Sequence, residues 1–321
     1  MKAAVLHGFG EPPRYEEFAE PEPRSGEAVL AVQASPMTQL ARSQAGGTHY
    51  AGPSLLPAVV GTEGVGLLPD GRRVYAAGAR PPFGMMAERT VVPRERCVPV
   101  PDGLDDATAA ALPNAALSSW LALVHRARLA PGESVLVLGA TGVAGKLAVR
   151  IAKALGAGRV VAAGRNEAVL RTLPAAGADA VLALRQPDEA LRAAFAPQGG
   201  HPPFDVVLDY LWGHPAELVL AAATGHGPAD RVPRVRFVTI GAMAGPTAAV
   251  PSGALRSSGL EILGSGIGSV PNAAIAEAFP RLWELAQRGL LPIETEVVPL
   301  AEVESAWGRP EVEGRRRVFR P

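Results

Sequence analysis

The stretch from Val135 to Asn166 contains a glycine-rich turn that could hold a phosphate group. The turn follows an apolar run, opens a segment with helical periodicity, and reads Ala140, Thr141, Gly142, Val143, Ala144, Gly145 and Lys146. Glycines let the main chain approach a ligand closely, and the free N–H groups at a helix N-terminus favour negative charge. Two kinds of nucleotide site have this layout, the triphosphate-binding P-loop and the dinucleotide cradle.

The P-loop interpretation lacks its metal ligand. A P-loop needs Ser or Thr directly after its lysine, because that hydroxyl binds the magnesium ion that bridges the phosphates. Here Leu147 follows Lys146, and Ala140 stands where the first glycine belongs. Asp209 at the end of "VVLD" could be offered as a magnesium-binding acid, but an acid at a strand end is common in α/β folds.

The dinucleotide interpretation explains more of the turn. Gly142 would let the main chain approach a pyrophosphate, and Gly145 would let the following helix pack closely on the preceding strand. Thr141, Val143 and Ala144 complete the predicted cofactor-binding turn. Because Ala140 departs from the usual first glycine, a structural glycine turn without a ligand remains the alternative at this point.

The residue that reads the adenosine ribose is expected about twenty residues further on, at the end of the second strand. An acidic residue there accepts a hydrogen bond from the 2'-hydroxyl of NAD, whereas this chain has Gly164, Arg165 and Asn166. A carboxylate would repel a 2'-phosphate, and a guanidinium can bind one through two charge-assisted hydrogen bonds. The sequence therefore predicts NADP(H), with Arg165 as the specificity residue; an exposed loop arginine is the alternative.

Length and charge limit the partners of this protein. A chain of 321 residues corresponds to roughly two domains. Its 31 basic and 31 acidic residues cancel, so the broad attraction that nucleic acids or anionic membranes require is absent. We expect a small-molecule substrate, no nucleic acid and no membrane, and we interpret Arg315, Arg316 and Arg317 as a solvated chain end.

The single cysteine, Cys97, excludes an internal disulfide and a thiolate zinc cluster, which suits a cytoplasmic protein. The N-terminal "MKAAVLHGFG" becomes polar too early for a secretory signal, and no run approaches the length of a membrane span. The most apolar stretch, Ala107 to Val124, is interrupted by Pro113 and Asn114 and is predicted to lie in the core.

The arrangement of apolar runs predicts two kinds of domain. Up to about Asp102 short β-like runs alternate with Pro and Gly clusters, which is typical of an all-β region. From about Asp105 helices alternate with apolar strands, the pattern of a parallel sheet. Strands are predicted at Ser134–Leu138, Arg159–Ala163, Ala180–Leu184, Asp205–Leu208, Arg236–Ile240 and Glu261–Leu263. A helix at about Ala273–Arg288 then precedes "TEVVPL" and "RRVFRP", which return to the β style of the N-terminal region.

Longer motifs resemble the zinc-free quinone oxidoreductase branch of the medium-chain dehydrogenases/reductases. The segment "AAALPNAALSSWLALVHRARLAPGESVLVLGATGVAGKLAVRIAKALGA" is similar to the hinge and first βα unit of that family. The segments "PAVVGTEGVG", "FDVVLDYLWG", "FVTIGAMAG" and "LEILGSGIG" follow in the family's order, so the resemblance covers essentially the whole chain.

The resemblance implies an α/β fold, in which a Rossmann doubly wound parallel sheet domain is inserted into a GroES-like β-barrel domain. The implied boundaries are 120–264 for the NADP(H)-binding domain, and 1–119 with 265–321 for the catalytic domain. It further implies an active site between the domains, a homodimer, and nicotinamide contacts from Ile240, Gly241 and Ala242 and from Gly264, Ser265 and Gly266.

Zinc-dependent relatives hold a catalytic metal at three positions, which correspond here to Ser35, Thr62 and Asn114. None of these is a good zinc ligand, so no metal is expected. Glu63 matches a recurrent family glutamate, yet a lone carboxylate would have no metal to serve.

Without zinc, reduction of an activated double bond or a quinone is easier than alcohol oxidation. NADPH would deliver hydride to an electrophilic carbon, and the resulting enolate or hydroquinone anion delocalises its own charge. The protein would then orient the substrate and donate a hydrogen bond to its carbonyl oxygen. Similar reductases often carry a tyrosine where Tyr50 lies, and an asparagine where Ser35 lies, so these two are the candidate catalytic residues.

Three functions remain open from the sequence. The first is an NADPH-dependent reductase of quinones or α,β-unsaturated carbonyl compounds. The second is an NADPH-binding redox sensor or structural protein with little catalysis, because a fold does not establish chemistry. The third is an enoyl-thioester reductase, which should have a basic entrance for a phosphopantetheine carrier. The net charge of zero gives no sign of such an entrance.

Overall fold

The computed structural model describes residues 1–53, 55–196, 204–222, 234–310, 312 and 314–321. The chain forms two compact units, one made of Met1–Asn114 and Phe279–Pro321 and the other of Ala115–Ala278. The second unit is therefore inserted into the sequence of the first. The division passes through two long helices, Asp106–Leu121 and Asn272–Gln287. The boundaries implied by the resemblance lie at 119/120, within the first of these helices, and at 264/265, at the end of the strand Gly259–Gly264.

The strands, in chain order, are β1 Lys2–Leu6, β2 Arg14–Glu17, β3 Glu27–Pro36, β4 Ala58–Val59, β5 Glu63–Leu67, β6 Arg73–Ala77, β7 Arg89–Pro93, β8 Cys97–Pro99, β9 Ser134–Leu138, β10 Arg159–Gly164, β11 Ala180–Ala183, β12 Val206–Asp209, β13 Arg234–Thr239, β14 Gly259–Gly264, β15 Glu294–Pro299 and β16 Arg315–Arg320. The α-helices are α1 Gln39–Ala45, α2 Asp106–Leu121, α3 Val143–Ala154, α4 Glu167–Leu170, α5 Asp188–Phe195, α6 Gly213–Ala222, α7 Ser252–Arg256, α8 Asn272–Gln287 and α9 Val303–Trp307.

The first unit is built on antiparallel β-sheets, as the Pro- and Gly-punctuated sequence predicts. Its largest sheet runs β15-β16-β3-β5-β6-β8, with β7 also paired to β3, and a smaller sheet runs β2-β1-β4. Burial alternates along most of β3, the pattern of a strand with one face in the core. Because β16 pairs with both β15 and β3, the C-terminal segment completes a sheet that the N-terminal segment begins.

The second unit holds a parallel sheet in the order β11-β10-β9-β12-β13-β14. The sheet contains all six predicted strands, and the three central ones, β9, β10 and β12, are almost entirely buried, as continuous apolar strands covered on both faces should be. Helix α3 forms where the sequence shows helical periodicity, and it buries Leu147 and Ile151. Gly156, with a φ of 90°, reverses the chain one residue after the helix cap at Leu155.

The apolar stretch Ala107–Val124 lies in the core, as predicted, and Pro113 does not interrupt its helix. Helix α2 passes through Pro113 and continues as a π-helical turn, Ala122–Ala127. Proline removes one main-chain hydrogen bond, but its neighbours Leu112 and Ala116 are completely buried, so packing maintains the helix. Within the described residues, Asp106–Ala127 is long and apolar enough to span a membrane, contrary to prediction; 67% of its most apolar window is buried in the fold, as in a core helix.

The solvated end predicted for the three C-terminal arginines is also wrong for two of them. Arg317 is completely buried and donates hydrogen bonds to the main-chain oxygens of Ala306, Arg309 and Pro310 at 2.6–2.9 Å. It also pairs with Glu296 at 3.0 Å. Arg316 is buried and donates to the main-chain oxygen of Met37. The reason is tertiary, because β16 is an interior strand.

Candidate functional site

The carboxyl-terminal ends of the parallel strands β9, β10, β12, β13 and β14 are aligned in one row along an edge of the sheet. Leu138 of β9 pairs with Ala163 and Asp209, and Asp209 and Gly264 both pair with Thr239. All four predicted cofactor-binding segments begin at this row or within three residues after it, so the fold brings them to one edge. Strand β9 lies between β10 and β12, which is the point where the strand order reverses and where open α/β sheets bind ligands.

The tight turn after β9 is made by Gly139 rather than by Ala140. Gly139 has a φ of 90°, a conformation that strongly favours glycine. The main-chain N–H groups of Gly139 and Ala140 both donate to the oxygen of Ala163, at 2.9 Å each. The usual first glycine has thus moved back by one residue, which the comparison with the hexapeptide pattern missed although Gly139 is adjacent to it.

The other two glycines of the turn have different roles. A Cβ atom on Gly145 would lie 2.2 Å from the main-chain oxygen of Gly139, so this position must lack a side chain for α3 to pack on the turn. A Cβ on Gly142 would meet only the oxygen of Gly139, at an ordinary 3.6 Å. Gly142 is the N-cap of α3 and provides no side-chain cap. The helix N-terminus is therefore left accessible to an acceptor, as a pyrophosphate site requires.

The predicted residues at the end of β10 pack against this turn. A Cβ on Gly164 would lie 2.5 Å from Cγ2 of Thr141, so the glycine makes room for the threonine. The Oδ1 atom of Asn166 accepts from the main-chain N–H groups of Ala168 and Val169 at 2.9 and 3.2 Å. Asn166 therefore caps α4, a structural role that leaves its amide N–H groups for a ligand.

Arg165 directly follows β10, and Arg185, which sequence reasoning did not identify, lies two residues after the end of the adjacent strand β11. Gly164 pairs with Ala183 of β11, and the main-chain N–H of Leu184 donates to the oxygen of Gly164 at 2.8 Å. Arg165 and Arg185 therefore follow neighbouring strand ends. Both are exposed, and neither forms an ion pair with any residue that the structure describes. Two guanidinium groups at this position suit a phosphate monoester.

The segments after β13 and β14 are tied to the same edge. The main-chain N–H groups of Ile240 and Gly241 donate to the oxygen of Asp209 at 2.7 and 3.2 Å. A Cβ on Gly241 would lie 2.9 Å from the oxygen of Tyr210, so this glycine permits close main-chain packing, while Ala242 is exposed. Burial raises the pKa of Asp209 to about 6, although N–H groups of Trp212 and Leu211 donate to it.

The last predicted segment, Gly264–Gly266, is held from two sides. The main-chain N–H of Ser265 donates to the oxygen of Thr239 at 2.9 Å, and Arg126 donates to the oxygen of Gly264 at 2.7 Å. No described atom lies within 4 Å of a Cβ built on Gly264. The space beside Gly264 is therefore available to a ligand.

The predicted catalytic residues lie in the first unit, in different environments. Ser35 is buried, and its hydroxyl donates to the main-chain oxygen of Glu63 at 2.9 Å. Tyr50 is 76% exposed, and its ring stacks on His49 with centroids 4.2 Å apart. Ser35 would have to release its present acceptor to donate to a substrate, whereas the Tyr50 phenol lies at the surface.

The three positions that hold zinc in relatives carry no soft or carboxylate ligand here. The Ser35 hydroxyl donates to the main-chain oxygen of Glu63, the Thr62 hydroxyl donates to the Glu63 carboxyl group, and Asn114 lies in α2. Among the residues that the structure describes, no group of three or more His, Cys, Asp or Glu side chains could hold a metal ion. Burial raises the pKa of Glu63 to about 7, against the opposing effects of Thr62 and Arg316.

Comparison with known proteins identifies relatives along the whole chain. A family model described as zinc-binding dehydrogenase matches residues 144–288. The quinone oxidoreductase of Thermus thermophilus, whose crystal structures include a complex with NADPH, is 30% identical and is matched over 100% of both chains with a TM-score of 0.80. A probable NADPH-dependent quinone reductase of Emericella nidulans is 28% identical over 100% of both chains. A trans-enoyl reductase of Aspergillus terreus is 30% identical over 50% of this chain and 42% of its own length.

These matches agree with the architecture. The full-length structural match confirms the predicted fold, a Rossmann parallel sheet domain inserted into a GroES-like β domain. The predicted family is confirmed as well. The chain belongs to the quinone oxidoreductase branch of the medium-chain dehydrogenase/reductase superfamily.

Proposed function

We propose that this protein is an NADPH-dependent reductase of quinones or α,β-unsaturated carbonyl compounds that works without zinc. The observation that carries the cofactor assignment is the row of strand ends. The N-terminus of α3, which has no side-chain cap at Gly142, and the exposed Arg165 and Arg185 follow the ends of three adjacent strands, β9, β10 and β11. A pyrophosphate suits the first and a 2'-phosphate suits the second.

The chemistry of the donor set supports zinc independence. Serine, threonine and asparagine at positions 35, 62 and 114 are poor ligands for zinc, which takes Cys, His or carboxylate groups. The family model whose description mentions zinc matches residues 144–288, a range that contains none of these positions. Without a Lewis acid to stabilise an alkoxide, acceptors that delocalise negative charge are favoured.

Bound NADPH supplies hydride from its nicotinamide ring to an electrophilic carbon. The protein's share is to orient the acceptor and to donate a hydrogen bond where negative charge develops. We propose Tyr50 and Ser35 as donors to the acceptor carbonyl, and the segments Ile240–Ala242 and Gly264–Gly266 as the nicotinamide contacts. The names of two relatives support quinones as acceptors, and the trans-enoyl reductase, matched over half of this chain, supports activated double bonds.

A titration with NADPH and with NADH, followed in the same cuvette by 1,4-benzoquinone and a short enone, tests this function. The protein is first treated with a chelator, and its zinc content is measured. We expect preferential NADPH binding and oxidation of NADPH by either acceptor at full rate without zinc. Binding without oxidation would instead support the redox sensor, and activity that returns only with added zinc would overturn the metal-free mechanism.

Two further proposals follow from the family. We propose a homodimer, to be tested by sedimentation equilibrium of the purified protein, and a cytoplasmic location, to be tested by cell fractionation. The single cysteine, half-buried with its thiol 3.6 Å from the oxygen of Pro93, suits a reducing compartment.

A further inference from the structure

Arg126 links the end of α2 to the segment that follows β14. Its Nε donates to the main-chain oxygen of Gly264 at 2.7 Å, and its Nη1 donates to that of Ser269 at a longer 3.4 Å. Both acceptors and the arginine belong to the second unit. One guanidinium group therefore holds both ends of Gly264–Ser269, whose first three residues are the proposed nicotinamide contact.

The segment Gly264–Ser269 has little side-chain packing to fix its conformation. Glycine occupies three of its six positions, 264, 266 and 268. Gly268 has a φ of 87°, and a Cβ atom built on Gly264 or on Gly268 would meet no described atom within 4 Å. Glycine has more accessible main-chain conformations than any other residue, so the position of this segment depends on its hydrogen bonds.

The other hydrogen bonds of the segment are local. The Ser269 hydroxyl accepts from the main-chain N–H of Gly266 at 2.9 Å and donates to its oxygen at 2.7 Å, which closes the turn. The main-chain N–H of Ser265 donates to Thr239 of the neighbouring strand at 2.9 Å. Arg126 adds a charge-assisted link to a helix, and such bonds are stronger than neutral ones.

A π-helical turn, Ala122–Ala127, presents Arg126. Hydrogen bonds in such a turn span one residue more than in an α-helix, so the direction in which later side chains project is changed. Leu123 and Ala127 are completely buried and anchor the turn. The buried Arg236 of β13 also donates to the main-chain oxygen of Ala127 at 2.8 Å. Arg126 therefore projects from a base that is tied to the sheet.

We propose that Arg126 is a positioning residue for the nicotinamide half of NADPH, and that it acts by holding Gly264–Ser269 in the conformation that receives the ring. This inference rests on the NADPH-dependent function proposed above. Hydride transfer depends on the orientation of the ring, and a segment that is ordered before the cofactor arrives does not have to be ordered by binding.

The variant Arg126→Ala should affect the two halves of the cofactor differently. NADPH affinity should fall by roughly 3- to 10-fold, because binding must then order the segment. The kcat values with 1,4-benzoquinone and with the enone should both fall by roughly 10- to 100-fold, the scale of a small misplacement of the reacting atom. The affinity for 2',5'-ADP, which contains the adenosine 2'-phosphate but no nicotinamide, should be unchanged.

Matched variants separate positioning from general stability. Arg126→Lys keeps the charge but lacks the planar fork that reaches two oxygens, so it should recover only part of kcat. Arg126→Met keeps the aliphatic stem and replaces Arg126→Ala in these measurements if the alanine variant does not fold. Arg256→Ala, at an exposed arginine of α7, should leave both nucleotide affinities and both kcat values unchanged.

A double-mutant cycle tests whether Arg126 acts through the segment. Gly264→Ala places a methyl group in the open space beside the segment, and it should weaken NADPH binding without weakening 2',5'-ADP binding. The combined loss in Arg126→Ala with Gly264→Ala should be smaller than the sum of the separate losses in free energy, because both act on one contact. Strictly additive losses would overturn the action of Arg126 through this segment.

Equal losses of affinity for NADPH and 2',5'-ADP in Arg126→Ala would show a general structural role and overturn the positioning role, and so would unchanged affinities and kcat values. If the wild-type protein binds NADPH but reduces neither acceptor, the reductase function fails alone, and the two nucleotide affinities still decide the role of Arg126. Absence of NADPH binding to the wild-type protein would overturn both.

Discussion

A Cβ atom at position 145 would lie 2.2 Å from the main-chain oxygen of Gly139 and 2.6 Å from the Cα of Ala140. The turn after β9 and the first turn of α3 therefore touch through main-chain atoms alone. This contact sets the distance between the sheet and the helix whose N-terminus is proposed to bind the pyrophosphate.

Substitution of Gly145 should lower the stability of the protein, whereas substitution of Gly142 should lower its affinity for NADPH. Gly145→Ala forces main-chain atoms apart, and we expect a loss of about 2 kcal/mol in unfolding free energy, the scale of an overpacked core. Gly142→Ala meets only a 3.6 Å contact, and Gly142 already has a φ of −76°, so stability should be preserved. NADPH affinity should nevertheless fall, because the new methyl group occupies the approach to the helix N-terminus. Urea unfolding and fluorescence titration measure the two effects, and unaltered NADPH affinity in Gly142→Ala would contradict the pyrophosphate assignment.

Cofactor preference should depend on both arginines at the ends of β10 and β11. Charge-assisted hydrogen bonds contribute about 1.5–3 kcal/mol, so Arg165→Ala should weaken NADPH binding by roughly 10- to 100-fold and leave NADH binding nearly unchanged. Arg185→Ala should act in the same direction. Arg192→Ala, at an exposed arginine of α5, is the matched control. Equal losses for the two nucleotides in Arg165→Ala would remove Arg165 from the specificity role.

The stability of the protein should show the titration of Glu63. Its pKa is about 7 in the fold against 4.5 for the ordinary group, so between these values the folded state keeps a proton that the unfolded chain releases. Stability from this group is complete below pH 4.5 and is lost as pH rises through 7. The shift corresponds to about 3 kcal/mol. Glu63→Gln should therefore gain stability relative to wild type between pH 4.5 and about pH 8, as measured by urea unfolding, and a constant difference would show that Glu63 is ionised in the fold.

Replacing Arg315 and replacing Arg317 by alanine should have very different effects on thermal stability. Arg317→Ala leaves three main-chain oxygens without their donor and leaves Glu296 paired with Arg309 alone, and breaking a buried pair of this kind costs about 3–5 kcal/mol. Arg315 is half-exposed and pairs with an exposed Glu294, so Arg315→Ala should unfold close to the wild-type midpoint. Thermal melts of the two variants make the comparison, and similar midpoints would contradict the structural role of Arg317.

Local sequence patterns predicted much of the fold because they reflect the burial and helical periodicity of residues that are close together in the sequence. The apolar runs identified all six parallel strands, since a strand buried on both faces must be apolar throughout. The helical periodicity after the glycine turn identified α3. Pro113 shows the limit of such rules, because a local helix breaker is overruled when the residues around it are fully buried.

The sequence by itself determined the family and the parallel sheet, because spacing and residue type suffice for these, and it predicted a phosphate-binding turn after β9. Tertiary structure decided which residues meet. Pairing of β10 with β11 put Arg165 and Arg185 after the ends of adjacent strands, and the interior position of β16 buried Arg316 and Arg317. Burial of Glu63 with one unsatisfied oxygen likewise depends on strands distant in the sequence. Desolvation and pairing are properties of assembled neighbours, and no local pattern of residues contains them.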